Sequence, residues 1–196
     1  MQYVSTRGSA PSLDFEGVTL AGLASDGGLY VPAIWPKFSA QQIAALNGAS
    51  YVDTAVAVMT PFVGDSLSQA ELRDLCTHAY GRFSHSAVTP LVQIEPGTWV
   101  LELFHGPTLA FKDVAMQLLA RMMDHVLEKR GAAGGAVAGK SARATIVGAT
   151  SGDTGGAAIE AFRGSKRVDV IILFPDGRVS DVQRDRKSTR LNSSHG

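Results

Sequence analysis

The sequence predicts an α/β protein: a small, mostly helical N-terminal region followed by the start of a parallel α/β sheet domain. Three observations carry that prediction. ATIVGAT (144–150) and VDVIILFP (168–175) are continuous β-branched runs of the kind buried in parallel sheets. Between them GAAIEAFRG, from Gly156, reads as a helix, so that strand, helix and strand form a right-handed crossover. Ahead of them VAMQLLARMMDHVLEKRG places Leu118, Leu119, Met122, Met123, Val126 and Leu127 at helical spacing, with Gly131 as a stop.

The N-terminal region, residues 1–90, mixes short apolar segments with turn formers. SAQQIAALNG and SQAELRDLCTHAYGRF read as helices. In the second, Ser68 is the N-cap and Glu71 stands three residues later, the capping-box spacing, with Leu72, Leu75 and Cys76 on one face. From Pro90 the pattern changes. LVQIEPG and TWVLELF read as two strands separated by the turn Pro96-Gly97. Residues 91–184 are therefore assigned to the first part of the α/β domain.

Composition excludes several classes. Of the 196 residues 45% are hydrophobic, enough for one ordinary domain core or a small domain plus part of a larger one. Lysine plus arginine total 18 and aspartate plus glutamate 18, which leaves no basic excess for nucleic acid or an anionic membrane. The single cysteine, Cys76, forms no internal disulfide, and zinc-ligand spacing is absent. No charged-then-apolar leader opens the chain and no run approaches a membrane span, so a cytoplasmic protein is expected.

The segment Asp185 to Gly196, DRKSTRLNSSHG, has no apolar periodicity. Reverse translation of DRKSTRLNSSH matches a widely used sequencing-library adapter read in one frame, so 185–196 is expected to be non-native. It holds three basic residues and one acidic, leaving 15 basic against 17 acidic elsewhere.

Two glycine motifs compete for attention. GGAVAGKS (134–141) has P-loop spacing, with Lys140 and Ser141 as phosphate ligands. Its context is reversed, because it follows a helix and precedes a strand, and a surface linker is the better reading. ATSGDTGGAA (149–158) has the correct context, between strand and helix. There Gly152, Gly155 and Gly156 permit close backbone approach, and Thr150, Ser151 and Thr154 add hydroxyl donors for an anion such as a carboxylate. A plain tight turn remains the alternative for that motif alone.

HGPTLAFKD (105–113) holds Lys112 at the first turn of the long helix. A solvated lysine is the default. Against it, the helix end is partially positive and Ala110 and Phe111 are apolar, both of which favour the neutral amine that attacks an aldehyde. His105 is better read as a buried histidine donating to a backbone carbonyl than as a catalytic group. Met116, Met122 and Met123 are core residues.

Together, HGPTLAFKD and ATSGDTGGAA resemble the lysine motif and the following ligand loop of threonine synthases, pyridoxal-phosphate enzymes of fold type II. The resemblance extends through YVSTRG (3–8), LAGLASDGGLYVP (20–32) and ILFPDGRVSDVQ (172–183), and so covers nearly all of residues 1–184. It implies pyridoxal 5′-phosphate held by Lys112 as a Schiff base, with Asp153, Ser151 and Gly152 around the cofactor. It further implies the substrate O-phospho-L-homoserine at Thr150, Ser151, Thr154 and Gly155, converted with water to L-threonine and phosphate. Metal, nucleic-acid and membrane partners are not implied. The family's pattern continues past Gln183, so the resemblance implies a truncated, inactive chain. The alternatives are another fold type II lyase or dehydratase, or a non-catalytic fragment.

Overall fold

The structure, a computed structural model, describes residues 1–132, 142–150 and 152–175. The P-loop-like stretch 134–141, Ser151, residues 176–184 and the tail 185–196 lie outside the described residues. The chain divides into two compact units, Met1–His78 and a second beginning at Ala79.

The first unit opens on strand β1 (Gln2–Ser5), which pairs antiparallel with β2 (Leu13–Asp14) on one side and β3 (Tyr30–Pro32) on the other. Four helices accompany this small sheet: α1 (Phe15–Ala21), α2 (Ala40–Ala44), α3 (Tyr51–Val63) and α4 (Gln69–Tyr80). The expected capping box is present at α4. Glu71 N–H donates to the Ser68 hydroxyl at 3.2 Å, and the Glu71 carboxylate accepts from Ser68 N–H at 2.7 Å. Helix α3 has no counterpart in the sequence reading, because Val52, Thr54, Val56, Val58 and Thr60 disfavour helix locally and Pro61 lies inside it. Ser50 caps it by accepting from Asp53 N–H at 3.0 Å, and Val56 and Val63 are buried.

Asp26, in the ASDGG segment, ties this unit's loops together. Its Oδ1 accepts from the Ser5 hydroxyl (2.8 Å) and Gly28 N–H (2.9 Å), and its Oδ2 from Ser9 and Ala10 N–H at 2.9 and 3.0 Å. Desolvation pushes the Asp26 carboxyl up, but these hydrogen bonds together outweigh it and hold the group below its ordinary value. A Cβ on Gly28 would collide with the Ser5 hydroxyl, so the approach requires glycine there.

In the second unit, strands β4 (Leu91–Glu95) and β5 (Thr98–Leu101) form a hairpin closed by Pro96-Gly97, with Gly97 at φ 81°. Helix α5 (Asp113–Ala132) follows, then β6 (Ala144–Ala149), α6 (Asp153–Ala161) and β7 (Val168–Leu173). β6 and β7 pair parallel, from Ala144 with Val168 to Ala149 with Leu173. The hairpin is antiparallel, as its two-residue connection requires, and forms a sheet separate from the parallel pair.

The apolar face of α5 is as expected, with Leu118, Met122, Met123, Val126 and Leu127 buried and Leu119 at its margin, 37% exposed. The helix runs one residue beyond the expected stop at Gly131. The strands differ from expectation. One face of the β6–β7 pair stays open, with Val147, Ile171 and Leu173 each at least 50% exposed, because no described residue covers it. Parallel strands are ordinarily covered on both faces.

Candidate functional site

Lys112 is the residue immediately before α5 rather than within its first turn. Asp113 N–H donates to Ala110 C=O (3.0 Å) and Val114 N–H to Phe111 C=O (3.3 Å), a tight approach that opens into helical bonding when Met116 N–H reaches Lys112 C=O at 2.9 Å. The approach is held from both ends. Upstream, Ser84 N–H donates to His105 C=O at 2.9 Å. Downstream, the fully buried Asp113 reaches back with Oδ2, which accepts from Thr108 N–H at 2.7 Å and from the Thr108 hydroxyl at 2.9 Å.

This closure leaves no room for a side chain at Gly106, where a Cβ would run into the Asp113 side chain. It also holds Leu109 at φ 62°, a left-handed conformation that a leucine rarely adopts. The Phe111 ring centroid lies 4.7 Å from Lys112 Nζ, and Asp113 stands in the first turn of α5, where an acidic residue suits the positive helix end. Sequence patterns did not point to Asp113, Thr108 or Gly106 as site-building residues. Their only local signal is an acidic residue at a helix start with a glycine and a threonine a few residues before it.

His105 is bonded to a carboxylate rather than to the expected backbone carbonyl: its Nε2 lies 2.7 Å from Glu102 Oε2, and its ring packs against Phe104 and His85.

The second motif is built on the parallel pair. β6 ends at Ala149, Thr150 N–H continues the ladder to Leu173 C=O at 2.9 Å, and Gly152 then caps α6. No side chain caps that end; Gly152 N–H donates to the Thr150 hydroxyl at 3.2 Å. Asp153, Thr154 and Gly155 form the first turn, so α6 begins three residues earlier than the sequence suggested. The initial N–H groups of a helix have no intrahelical acceptor and attract anions. Beside them, Ala149, Thr150, Leu173, Phe174 and Pro175 line an open cleft at the carboxyl ends of β6 and β7.

The two motifs share a side of the unit. Arg82 bridges Gln117 Oε1 (3.2 Å) on α5 to Glu160 Oε1 (2.6 Å) on α6; further along, Asp124 of α5 accepts from Ser165, just after α6, at 2.7 Å. The bridges follow the same order along both helices, so α5 and α6 advance in the same sense. Lys112 and the Thr150–Gly155 turn thus stand at like ends of adjacent helices.

α/β proteins with such an arrangement generally take ligands outside the carboxyl ends of their strands, against helix N-termini. Residues 2–80 match the family model described as "Threonine synthase N terminus". Over 99% of its length the chain is 53% identical to a threonine synthase of Pseudomonas aeruginosa, of which it covers 39%. It superposes on the crystal structure of a pyridoxal-phosphate-bound threonine synthase from Brucella melitensis with a TM-score of 0.86 and 61% identity, covering 95% of this chain and 38% of that one. A yeast threonine synthase structure gives a TM-score of 0.86 at 41% identity, over 94% of this chain and 37% of that one. The chain is similar to threonine synthases along nearly its whole length and spans about two fifths of the length of the relatives it matches.

Proposed function

We propose that these residues form the first part of a threonine synthase active site, in which Lys112 carries pyridoxal 5′-phosphate as a Schiff base. The observation that carries this reading is the placement of Lys112 at the like end of the helix pair as the Thr150–Gly155 turn. The residues suit the group chemically: a primary amine on a braced segment, uncapped N–H donors at α6, and hydroxyls at Thr150 and Thr154. When bound, pyridoxal phosphate supplies a conjugated ring that takes up the electrons of a carbon–hydrogen bond.

In this reading Asp153, Ser151 and Gly152 contact the cofactor, Asp153 at the ring hydroxyl. Thr150, Ser151, Thr154 and Gly155 hold the carboxylate of O-phospho-L-homoserine. Once displaced from the cofactor by the substrate amine, the Lys112 amine would move protons at the substrate α and β carbons. Phosphate leaves the γ carbon and water adds at the β carbon, so that phosphohomoserine and water give L-threonine and phosphate. Residues 1–90 serve as the N-terminal domain and 91–184 as the beginning of the cofactor domain, with 185–196 outside both. The setting is the cytoplasm.

By itself the 196-residue chain is expected not to turn over phosphohomoserine, because among the described residues its parallel pair is open on one face. Phosphate release by the purified chain above the rate without protein would overturn this. The reaction is tested by replacing the corresponding N-terminal segment of the P. aeruginosa enzyme with residues 1–175. The chimera is expected to form threonine and phosphate in equal amounts and to lose both with Lys112→Ala. Retained turnover in the Lys112→Ala chimera would sink the assignment of Lys112.

A further inference from the structure

We propose that Asp113 is the positioning residue of Lys112: its buried carboxylate clasps Thr108 and so fixes the segment from which the lysine amine is presented. The proposal rests on the reading of Lys112 as the cofactor carrier and goes beyond it by naming what holds that lysine.

Three observations converge on the clasp. Asp113 is 0% exposed, yet its Oδ2 alone gathers two donors, both from Thr108, five residues back. Burial of a carboxylate is costly unless its hydrogen bonds are made, and here they hold a loop rather than the helix that Asp113 begins. Next, Gly106 abuts the Asp113 side chain so closely that no Cβ fits. Finally, the enclosed Leu109 is held at φ 62° although its side chain is 61% exposed and gains little from burial there. Strain of this kind persists only where surrounding bonds over-determine it, and it collects where a reactive group is held in place.

The remaining oxygen, Oδ1, is buried with no hydrogen-bond partner among the described residues. Asp113 does not move a proton in this scheme; it sets where the backbone of Lys112 points.

The test uses the full 196-residue chain, pyridoxal 5′-phosphate as probe and borohydride to reduce any Schiff base, with peptide mass spectrometry reporting how label divides between Lys112 and other lysines. The unsubstituted chain is expected to take label at Lys112 in preference to Lys37, Lys129 and Lys166. Asp113→Ala is expected to lower that preference by about tenfold or more, since displacement of a reacting group by an ångström costs up to about a hundredfold. Thr108→Val, which removes the hydroxyl's bonds to Asp113 and from Ala110 N–H but leaves the Thr108 N–H bond to Asp113, is expected to lower it less, and Thr108→Ser to restore it. Glu160→Gln weakens an ion-pair network elsewhere in the unit and is expected to lower the unfolding midpoint without changing the preference.

If Asp113→Ala fails to fold, the Thr108→Val and Thr108→Ser pair decides. Equal labelling of Lys112 in the unsubstituted chain, Asp113→Ala and Thr108→Val would overturn the clasp while leaving the carrier reading intact. A loss in Glu160→Gln matching that in Thr108→Val would reduce the clasp to general stability and overturn it too. No preference for Lys112 in the unsubstituted chain would sink the carrier reading, and the clasp proposal with it.

Discussion

Arg82 donates to Glu160 at 2.6 Å, joining residues 78 positions apart in the chain, and Arg163 reaches the other oxygen of the same carboxylate at 3.1 Å. Glu160 is nearly buried, its side chain 7% exposed, whereas Arg82 is 40% exposed. Arg121 lies in the same cluster, where desolvation and then the nearby charge of Arg82 push its guanidinium below the ordinary arginine value.

Removing Arg82 leaves Glu160 with less compensation for its burial. Arg82→Ala is expected to destabilise the second unit by about 1–2 kcal/mol, below the usual cost of breaking a buried pair because the arginine is partly solvated. Urea unfolding followed by fluorescence measures it. An unchanged midpoint would show that the compensation of Glu160 does not depend on Arg82.

At Gly106 the obstacle is steric. Gly106→Ala forces the new methyl against Asp113, at an expected cost of about 1–3 kcal/mol in a site with no free space. The substitution is checked by the shift in unfolding midpoint. A variant as stable as the parent would mean that Asp113 can swing aside.

Cys76 is fully buried, and burial pushes its thiol up to about 11, against a smaller opposing effect of Arg73. The thiolate is the reactive form, so native Cys76 is expected to resist a thiol reagent at pH 8 and to react fully in denaturant. The ratio of labelling rates in native and unfolded protein reports this. Comparable rates would contradict the burial of Cys76.

Asp26 gives the first unit an acid dependence of definite sign. Its folded-state carboxyl titrates below the unfolded value of about 3.9, so its stabilisation is complete above that value. It is lost as pH falls through the lower, folded value. Thermal unfolding of the parent is therefore expected to weaken between pH 5 and pH 2 more steeply than that of Asp26→Asn. Parallel pH profiles for the two proteins would count against the Asp26 hydrogen bonds.

Much of the fold was legible because it is written locally. The capping box of Ser68 and Glu71, the face of α5 from Leu118 to Leu127, and the Pro96-Gly97 hairpin turn depend on residues a few positions apart. Helix α3 was not legible. Its β-branched residues and Pro61 argue locally against a helix, and burial of Val56 and Val63 overrides them.

The sequence by itself determined the α/β class, the ordered lysine and glycine motifs and, through them, the resemblance to threonine synthases, because motif identity and helical or strand periodicity need no knowledge of distant neighbours. Only the tertiary structure decided that the hairpin stands apart from the parallel pair, and that one face of that pair is open among the described residues. It alone shows how Lys112 is braced. The Asp113 clasp on Thr108 and the Arg82 bridge to Glu160 depend on where a buried carboxylate finds its donors, a matter of packing in three dimensions that local spacing does not encode.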